Sequence, residues 1–282
     1  MKVEFEMASL KGLKKKSNDD RFVNDYIRGI YYFAVCDGMN RDGYVASSSV
    51  IGSIKAYLND ALKNTRKFFY DEIVGNMIKY INNCAIKDIE NSGFGDIGTT
   101  LDFLILDTIG NLCCFTHFGD GRIYCLRDNK LKCLTLDDKT LDDKSISVNE
   151  KDTLSDDELR LINMTKPPSV YLGDERLPDI SQIISINGTK YKRIKTLFLK
   201  KDDIFLITTD GLLDCVSNRE IENILCSNGL AEAVVKLQNI YIQPKEMADY
   251  YSKIKEIDKE VAIKKLRERD NMTFFVIKYT EE

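Results

Sequence analysis

The chain contains no tryptophan and a single histidine, His117. With one imidazole, Ser-His-Asp or Cys-His nucleophilic machinery has little support. Neither sign of charge is in large excess. Lys and Arg number 41 against 45 Asp and Glu, giving a net charge of −4 and a pI of about 5.4. No global basic field is present to hold nucleic acid non-specifically. No apolar run approaches the ~20 residues of a membrane span. The opening Met1-Lys2-Val3-Glu4-Phe5-Glu6 has no apolar signal core. Eight cysteines occur, and no CxxC is followed by a second pair at zinc-finger spacing. Several, including Cys36, Cys113, Cys114 and Cys215, sit inside apolar runs. These features predict a cytoplasmic chain with reduced, mostly buried thiols and no nucleic-acid or membrane partner.

What is present is a well-stocked core. Hydrophobic residues make up 43% of 282, enough for one large domain without staples. Val45–Leu62 and Phe69–Ile89 carry apolar residues at helical spacing. Strand-like runs follow at Leu101–Leu106, Leu112–Phe118, Arg122–Arg127 and Leu131–Leu134, separated by Asp, Gly and Asn turns. Further strands are expected near Ile180–Ile186, Thr196–Leu199, Ile204–Thr209 and Met272–Tyr279, with one before Asp37 at Tyr31–Cys36. Helical patterns cover Ser217–Leu225 and Leu230–Ile240, and Met247–Arg269 is charged and partly helical, with an exposed helix expected there. The stretch from Asp137 to Pro178 is rich in Asp, Lys and Ser, with one short helix fitting at Ser155–Asn163 behind a Ser155/Glu158 capping box. A long irregular insert of this kind is usually functional. Without repeats or low-complexity linkers, residues 1–282 read as one domain. Hairpin spacing argues against a parallel βαβ series and for an α+β layered class.

The chemistry is carried by acidic dipeptides at strand ends. Asp37-Gly38 follows an apolar strand, as do Gly119-Asp120 and Asp210-Gly211, and Asp270-Asn271 precedes one. A strand delivers its terminal residue to a rim, and an adjacent Gly permits a sharp turn or close approach. Carboxylates gathered at one rim repel one another unless a cation sits among them. Oxygen-only ligands suit Mg²⁺ or Mn²⁺.

Taken in order, these segments resemble the metal-dependent protein phosphatase 2C family in its bacterial form, over Gly12 to Ile277. Gly12-x-x-Lys15-x-x-Asn18-Asp19-Asp20 is similar to an opening Gly-x-x-Arg-x-x-Asn-Glu-Asp. Asp37-Gly38-Met39 with Gly43-x-x-Ala46-Ser47, Gly98-Thr99-Thr100-Leu101 and Phe118-Gly119-Asp120-Gly121-Arg122 resemble successive family elements. So do Leu134-Thr135-x-Asp137, Thr209-Asp210-Gly211-Leu212-Leu213-Asp214 and Asp270-Asn271-Met272-Thr273.

The resemblance implies an antiparallel β-sandwich flanked by helices on both sides, with a dinuclear Mn²⁺ or Mg²⁺ centre at one end. It implies Asp37 as the bridging carboxylate, the Gly38 carbonyl with Asp19 or Asp20 at one ion, and Asp210 and Asp270 at the other. Asp120 and Asp214 match carboxylates of a third, weaker metal position. Lys15 stands at the phosphate-binding position. The insert at about 137–178 matches a mobile flap, with Tyr171-Leu172-Gly173 at its close. The implied reaction is hydrolysis of phosphoserine and phosphothreonine in proteins by a metal-activated water, opposite a partner kinase and with nothing demanding an oligomer.

Five departures accompany the match. Lys15 replaces Arg and cannot grip phosphate bidentately. Asp19 replaces Glu, Met39 leaves no histidine as general acid, Asn40-Arg41-Asp42 shortens a Gly-Gly-His segment, and Asp138 replaces a histidine. Two alternatives therefore stay open: a degenerate phosphatase-like binding or regulatory module, and a hydrolase of small phosphoesters. Thr99, Thr100, His117 and Met39 read as packing and hydrogen-bonding residues rather than catalytic ones.

Overall fold

Two antiparallel sheets of five strands each form the framework of the computed structural model, which describes residues 2–64, 69–136, 138, 157, 168, 170–175, 177, 184–186, 189–268 and 270–280. Strands in chain order are β1 Lys2–Leu10, β2 Arg21–Ile27, β3 Ile30–Cys36, β4 Gly38–Met39, β5 Gly98–Thr99, β6 Leu101–Asp107 and β7 Leu112–Phe118. They continue as β8 Arg122–Arg127, β9 Lys130–Cys133, β10 Ile184–Ile186, β11 Thr189–Tyr191, β12 Lys195–Phe198, β13 Ile204–Thr208 and β14 Met272–Thr280. One sheet runs β1-β14-β13-β8-β9 and the other β12-β7-β6-β3-β2. The pairs β4–β5 and β10–β11 stand apart from them.

The sheets are joined by a shared apolar interior. Phe33, Val35, Leu104, Leu106 and Phe115 from one sheet meet Ile123, Phe205, Ile207, Phe275 and Ile277 from the other. Phe5, Phe33 and Phe275 pack edge to face, with centroids 5.2–6.1 Å apart. The outer faces are covered in turn, so central strands such as Leu101–Asp107 are buried along their whole length.

Helices α1 Tyr44–Asn64 and α2 Tyr70–Ser92 cover the second sheet. Their apolar stripes, Val50, Ile54, Leu58 and Leu62 on α1 and Val74, Met77, Ile78, Ile81 and Ala85 on α2, pack against Tyr32, Ala34 and Phe103. The first sheet is covered by α3 Asp210–Leu213, α4 Asn218–Ser227, α5 Leu230–Ile242, α6 Lys245–Lys255 and α7 Lys259–Arg267. Ser217 and Glu220 form a capping box at the start of α4. The layers are therefore helix, sheet, sheet, helix, as expected.

Three features differ from the sequence patterning. First, β1 and β2 lie outside the runs singled out above. Both are outer strands with charged residues between the inward ones, Val3, Phe5 and Met7 on β1 and Val23 and Ile27 on β2. Second, Met247–Arg269 is not one exposed helix. Glu256 adopts a left-handed conformation (φ 52°) that ends α6, and Asp258 caps α7 by accepting from the Glu260 amide. Met247, Ala248, Tyr251, Ala262 and Leu266 are buried. Third, the short pair β4–β5 joins Gly38-Met39 to Gly98-Thr99 beside the site. Apart from Asp157, the helix expected at Ser155–Asn163 lies outside the described residues, as does most of the 137–178 stretch.

The cysteines are free. Cys36, Cys113, Cys114, Cys125 and Cys215 are buried, Cys84 and Cys133 half-buried, and Cys226 exposed. Among the described residues, no helix is long and apolar enough to cross a membrane.

Candidate metal centre

The two sheets deliver their acidic residues to one end of the sandwich. Asp37 lies just beyond β3 of one sheet, Asp210 just beyond β13 of the other, and Asp270 just before β14. One carboxylate oxygen from each lies within 4.8 Å of the others, a grouping able to hold a metal ion. Each position has a local cause. The β4–β5 pair pins Asp37: its amide donates to the Thr100 hydroxyl at 2.9 Å, and its carbonyl accepts from the Thr99 hydroxyl at 2.8 Å. Thr99 and Thr100 are thus backbone anchors, as their sequence reading holds. Asp270 is fixed through its carbonyl, which accepts from Tyr241 at 2.6 Å, and through the Asn271 amide, which donates to Oδ1 at 2.8 Å.

Glycines allow the strand ends to converge. A Cβ on Gly211 would sit 1.8 Å from the Asn271 carbonyl oxygen, and one on Gly38 only 2.5 Å from the Gly43 carbonyl carbon. No side chain fits at either place, and neither backbone can retreat without moving Asp210 or Asp37.

Of the two aspartates in the opening loop, the structure brings Asp20 to the cluster. Asp20 is buried, and its Oδ2 accepts from the Thr209 hydroxyl at 3.0 Å. Its Oδ1 has no hydrogen-bond donor among the described residues. Burial, with Asp270 and Asp210 nearby, pushes its pKa up to about 7, partly offset by the Thr273 and Thr209 hydroxyls. The Asp19 carboxylate instead accepts from Ser17 at 2.7 Å, while its carbonyl accepts from Ser47.

The same crowding acts on the neighbours. Burial, then repulsion from Asp270, Asp20 and Asp210, holds the Asp37 carboxyl well above the usual range. Burial and Asp210 raise Asp270, and Lys15 pulls it back. Lys15 Nζ lies 2.7 Å from Asp270 Oδ1, and the attraction more than offsets the burial that would lower its pKa. An all-oxygen donor set, with Asp20, Asp37 and Asp270 raised in pKa by burial and then by repulsion, fits one or more hard divalent ions.

Asp120 and Asp214 are buried near this end of the sandwich, outside the group of three. Asp120 adds to the repulsion at Asp37. The Asp214 amide donates to the Asp210 carbonyl at 2.9 Å. Met39, on β4, is half-buried beside Gly38. Sequence reasoning missed Thr209, whose hydroxyl links Asp20 to the Thr273 amide, and Asn271, which accepts from the Gly12 amide at 3.2 Å. Adjacency to Asp210 and Asp270 was the available signal for both.

No family model matches the chain. Among curated proteins, it is 25% identical over 227 residues to protein phosphatase PhpP of Streptococcus pneumoniae, covering 76% of this chain and 81% of that one. A putative protein phosphatase 2C-type of Streptococcus pyogenes matches at 25% over 226 residues, with the same coverage. The chain is thus similar to bacterial protein phosphatases of the 2C type. The fold agrees. The catalytic domain of the serine/threonine protein phosphatase PstP, solved in complex with two manganese ions, superposes with a TM-score of 0.66 at 22% identity, over 99% of both chains.

Proposed function

We propose that this chain is a metal-dependent phosphoprotein phosphatase. It hydrolyses phosphoserine and phosphothreonine esters at a centre of two Mn²⁺ or Mg²⁺ ions held by Asp37, Asp210 and Asp270. The observation that carries the reading is the convergence of those three carboxylates, from both sheets, within 4.8 Å. PstP, which shares the fold, is described with two manganese ions, and PhpP is named a protein phosphatase.

On this reading Asp37 would be shared by the ions, Asp210 and Asp270 would hold one of them, and Asp20, with the Gly38 carbonyl, the other. The buried Asp20 oxygen without a hydrogen-bond donor supports its choice over Asp19. When bound, such ions supply Lewis-acid chemistry and make a water nucleophilic near neutral pH. The protein's part is to place four carboxylates against their own repulsion, with Thr99 and Thr100 anchoring the Asp37 backbone and the Thr209 hydroxyl holding Asp20. Lys15, paired with Asp270 in this structure, contributes one positive charge for the substrate phosphate, as a point charge rather than a fork. Met39 offers no proton, so the leaving alkoxide takes one from solvent. On the same reading Asp120 and Asp214 would hold a weaker third ion. The substrates are phosphoproteins made by a partner serine/threonine kinase, and the chain acts as a cytoplasmic monomer in a single domain.

The test is hydrolysis of a phosphothreonine peptide and of a small aryl phosphate over a Mn²⁺ titration. Metal-dependent release that favours the peptide supports the proposal. Preference for the small ester would transfer it to small-molecule hydrolysis. Peptide binding without release would make the chain a phosphopeptide-binding module.

A further inference from the structure

Next to the proposed centre lies a buried set of charges that metal binding does not use. His117, near the end of β7, places its Nδ1 2.8 Å from Asp102 Oδ1, and its Nε2 donates to the Gly119 carbonyl at 2.8 Å. Asp138 accepts from the Gly119 amide through Oδ2 at 2.9 Å, and the Asp138 amide donates to the Gly119 carbonyl at 2.9 Å. Arg193 donates to both Asp138 oxygens at 3.1 Å and to the His117 carbonyl at 3.1 Å. Its guanidinium lies 4.9 Å from the centre of the Phe118 ring. The side chains of Arg193 and Asp138 are 7% and 2% exposed, so the pair is desolvated.

Three of these bonds end on Gly119, whose φ of +109° suits glycine alone and where a Cβ would meet Thr100 Cγ2 at 2.6 Å. Gly119 opens the turn Gly119-Asp120-Gly121. Arg122 secures the far side by donating to the Asp120 and Gly121 carbonyls at 3.1 and 2.8 Å. The turn therefore has its backbone fixed on both sides of Asp120. A buried ion pair joining residues 55 positions apart contributes little to stability on balance, because desolvation offsets its Coulomb energy. It does impose a geometry.

We propose that Asp138, Arg193 and His117 are positioning residues, a buried clamp on Gly119 that sets the place of Asp120 at the edge of the Asp37 cluster and thereby governs the weakest metal step. The inference rests on the metal-dependent reading above. It gives a purpose to Asp138, which stands where the family pattern has histidine, and to Arg193, which no motif marks.

The experiment compares wild type, Arg193→Lys, the neutral pair Asp138→Asn/Arg193→Met, Asp120→Asn, and the triple combination. The readouts are Mn²⁺ calorimetry, and kcat and KM on a phosphothreonine peptide. The neutral pair leaves no lone buried charge, so it should fold. It is expected to weaken the last Mn²⁺ step about 10-fold, as loss of a ligand's supporting partner typically does. kcat at limiting Mn²⁺ should fall in step, with KM nearly unchanged. Adding the neutral pair to Asp120→Asn should bring no further loss, because the clamp acts through that residue. Arg193→Lys should recover part of the affinity. Additive losses, or Mn²⁺ binding unaltered in the neutral pair, would overturn the proposal while leaving the phosphatase reading intact. Coupled Mn²⁺ effects without any hydrolysis would support the clamp and overturn the phosphatase. Absence of Mn²⁺ binding by wild type would overturn both.

Discussion

Replacing Asp37 by Asn should make the metal-free protein more stable and the metal-loaded protein inactive. In the absence of metal, Asp37, Asp210 and Asp270 hold oxygens within 4.8 Å of one another, with Lys15 as the nearby cation. At that separation, each fully charged pair repels by about 3.5 kcal/mol at an effective dielectric of ~20. Asp37→Asn removes two of the three pairs. Lys15 and partial protonation already relieve much of this, leaving a net gain of about 1–3 kcal/mol. In a chain of this size that raises Tm by roughly 2–10 °C. The pH dependence has a fixed sign. The folded-state pKa values of Asp37 and Asp270 are raised, so the stability they contribute is present below the unfolded carboxylate pKa and lost as pH rises through the folded values. Wild type without metal should therefore lose stability from acid toward neutral pH, and Asp37→Asn should lose less. Metal reverses the order. At 100 times Kd, one ion stabilises the wild type by about 2.7 kcal/mol, and Asp37→Asn should gain little. Thermal unfolding with chelator and with Mn²⁺, at pH 5 and 7.5, measures all four states. An Asp37→Asn protein no more stable than wild type in chelator would refute the crowding argument.

Three other outcomes follow from the geometry. Gly211→Ala should cost about 1–3 kcal/mol, as overpacking against fixed backbone does, and should abolish turnover by displacing Asp210, read by denaturant unfolding and phosphate release. Arg127 holds the buried Asp203 carboxylate with two bonds of 2.7 and 2.6 Å. Arg127→Met should lower stability by about 3 kcal/mol, because it strands a buried charge far from the site, with kcat unchanged in the folded fraction. For His117, burial lowers the pKa but Asp102 raises it by more, so the pair holds its proton to higher pH than a free imidazole. The stability this contributes is complete below the unfolded histidine pKa and is lost as pH rises through the folded one. Since His117 is the sole histidine, its side-chain ¹⁵N signals report that titration without assignment. A midpoint at or below about 6.5, the ordinary histidine value, would contradict it.

Much of this site was legible because its ligands sit next to strong local signals. Asp37 and Asp210 each follow an apolar run and precede a glycine, and Asp270 precedes such a run. Period and turn chemistry thus place all three at strand ends, whatever the loops do. The layered order was legible for the same reason: α1, α2 and the central strands have continuous apolar faces. The choice between Asp19 and Asp20 was not, since adjacent loop residues share every sequence signal and differ only in burial. Arg193 was invisible, because its partners lie 55 and 76 positions away. The outer strands β1 and β2 were obscured by charged residues on their outward faces. The break at Glu256 rests on one left-handed residue that no glycine announces.

The most direct test of the central claim is phosphate release from a phosphothreonine peptide by wild type and Asp210→Asn, with Mn²⁺ and with chelator. Asp210 belongs to the proposed centre and supplies no bulk to the core, so the variant should fold. The account predicts release by wild type only when Mn²⁺ is present, and a fall of at least about 100-fold in Asp210→Asn, the scale at which loss of one charge-stabilising group lowers kcat. Metal-independent release, or equal rates in the two proteins, would contradict it.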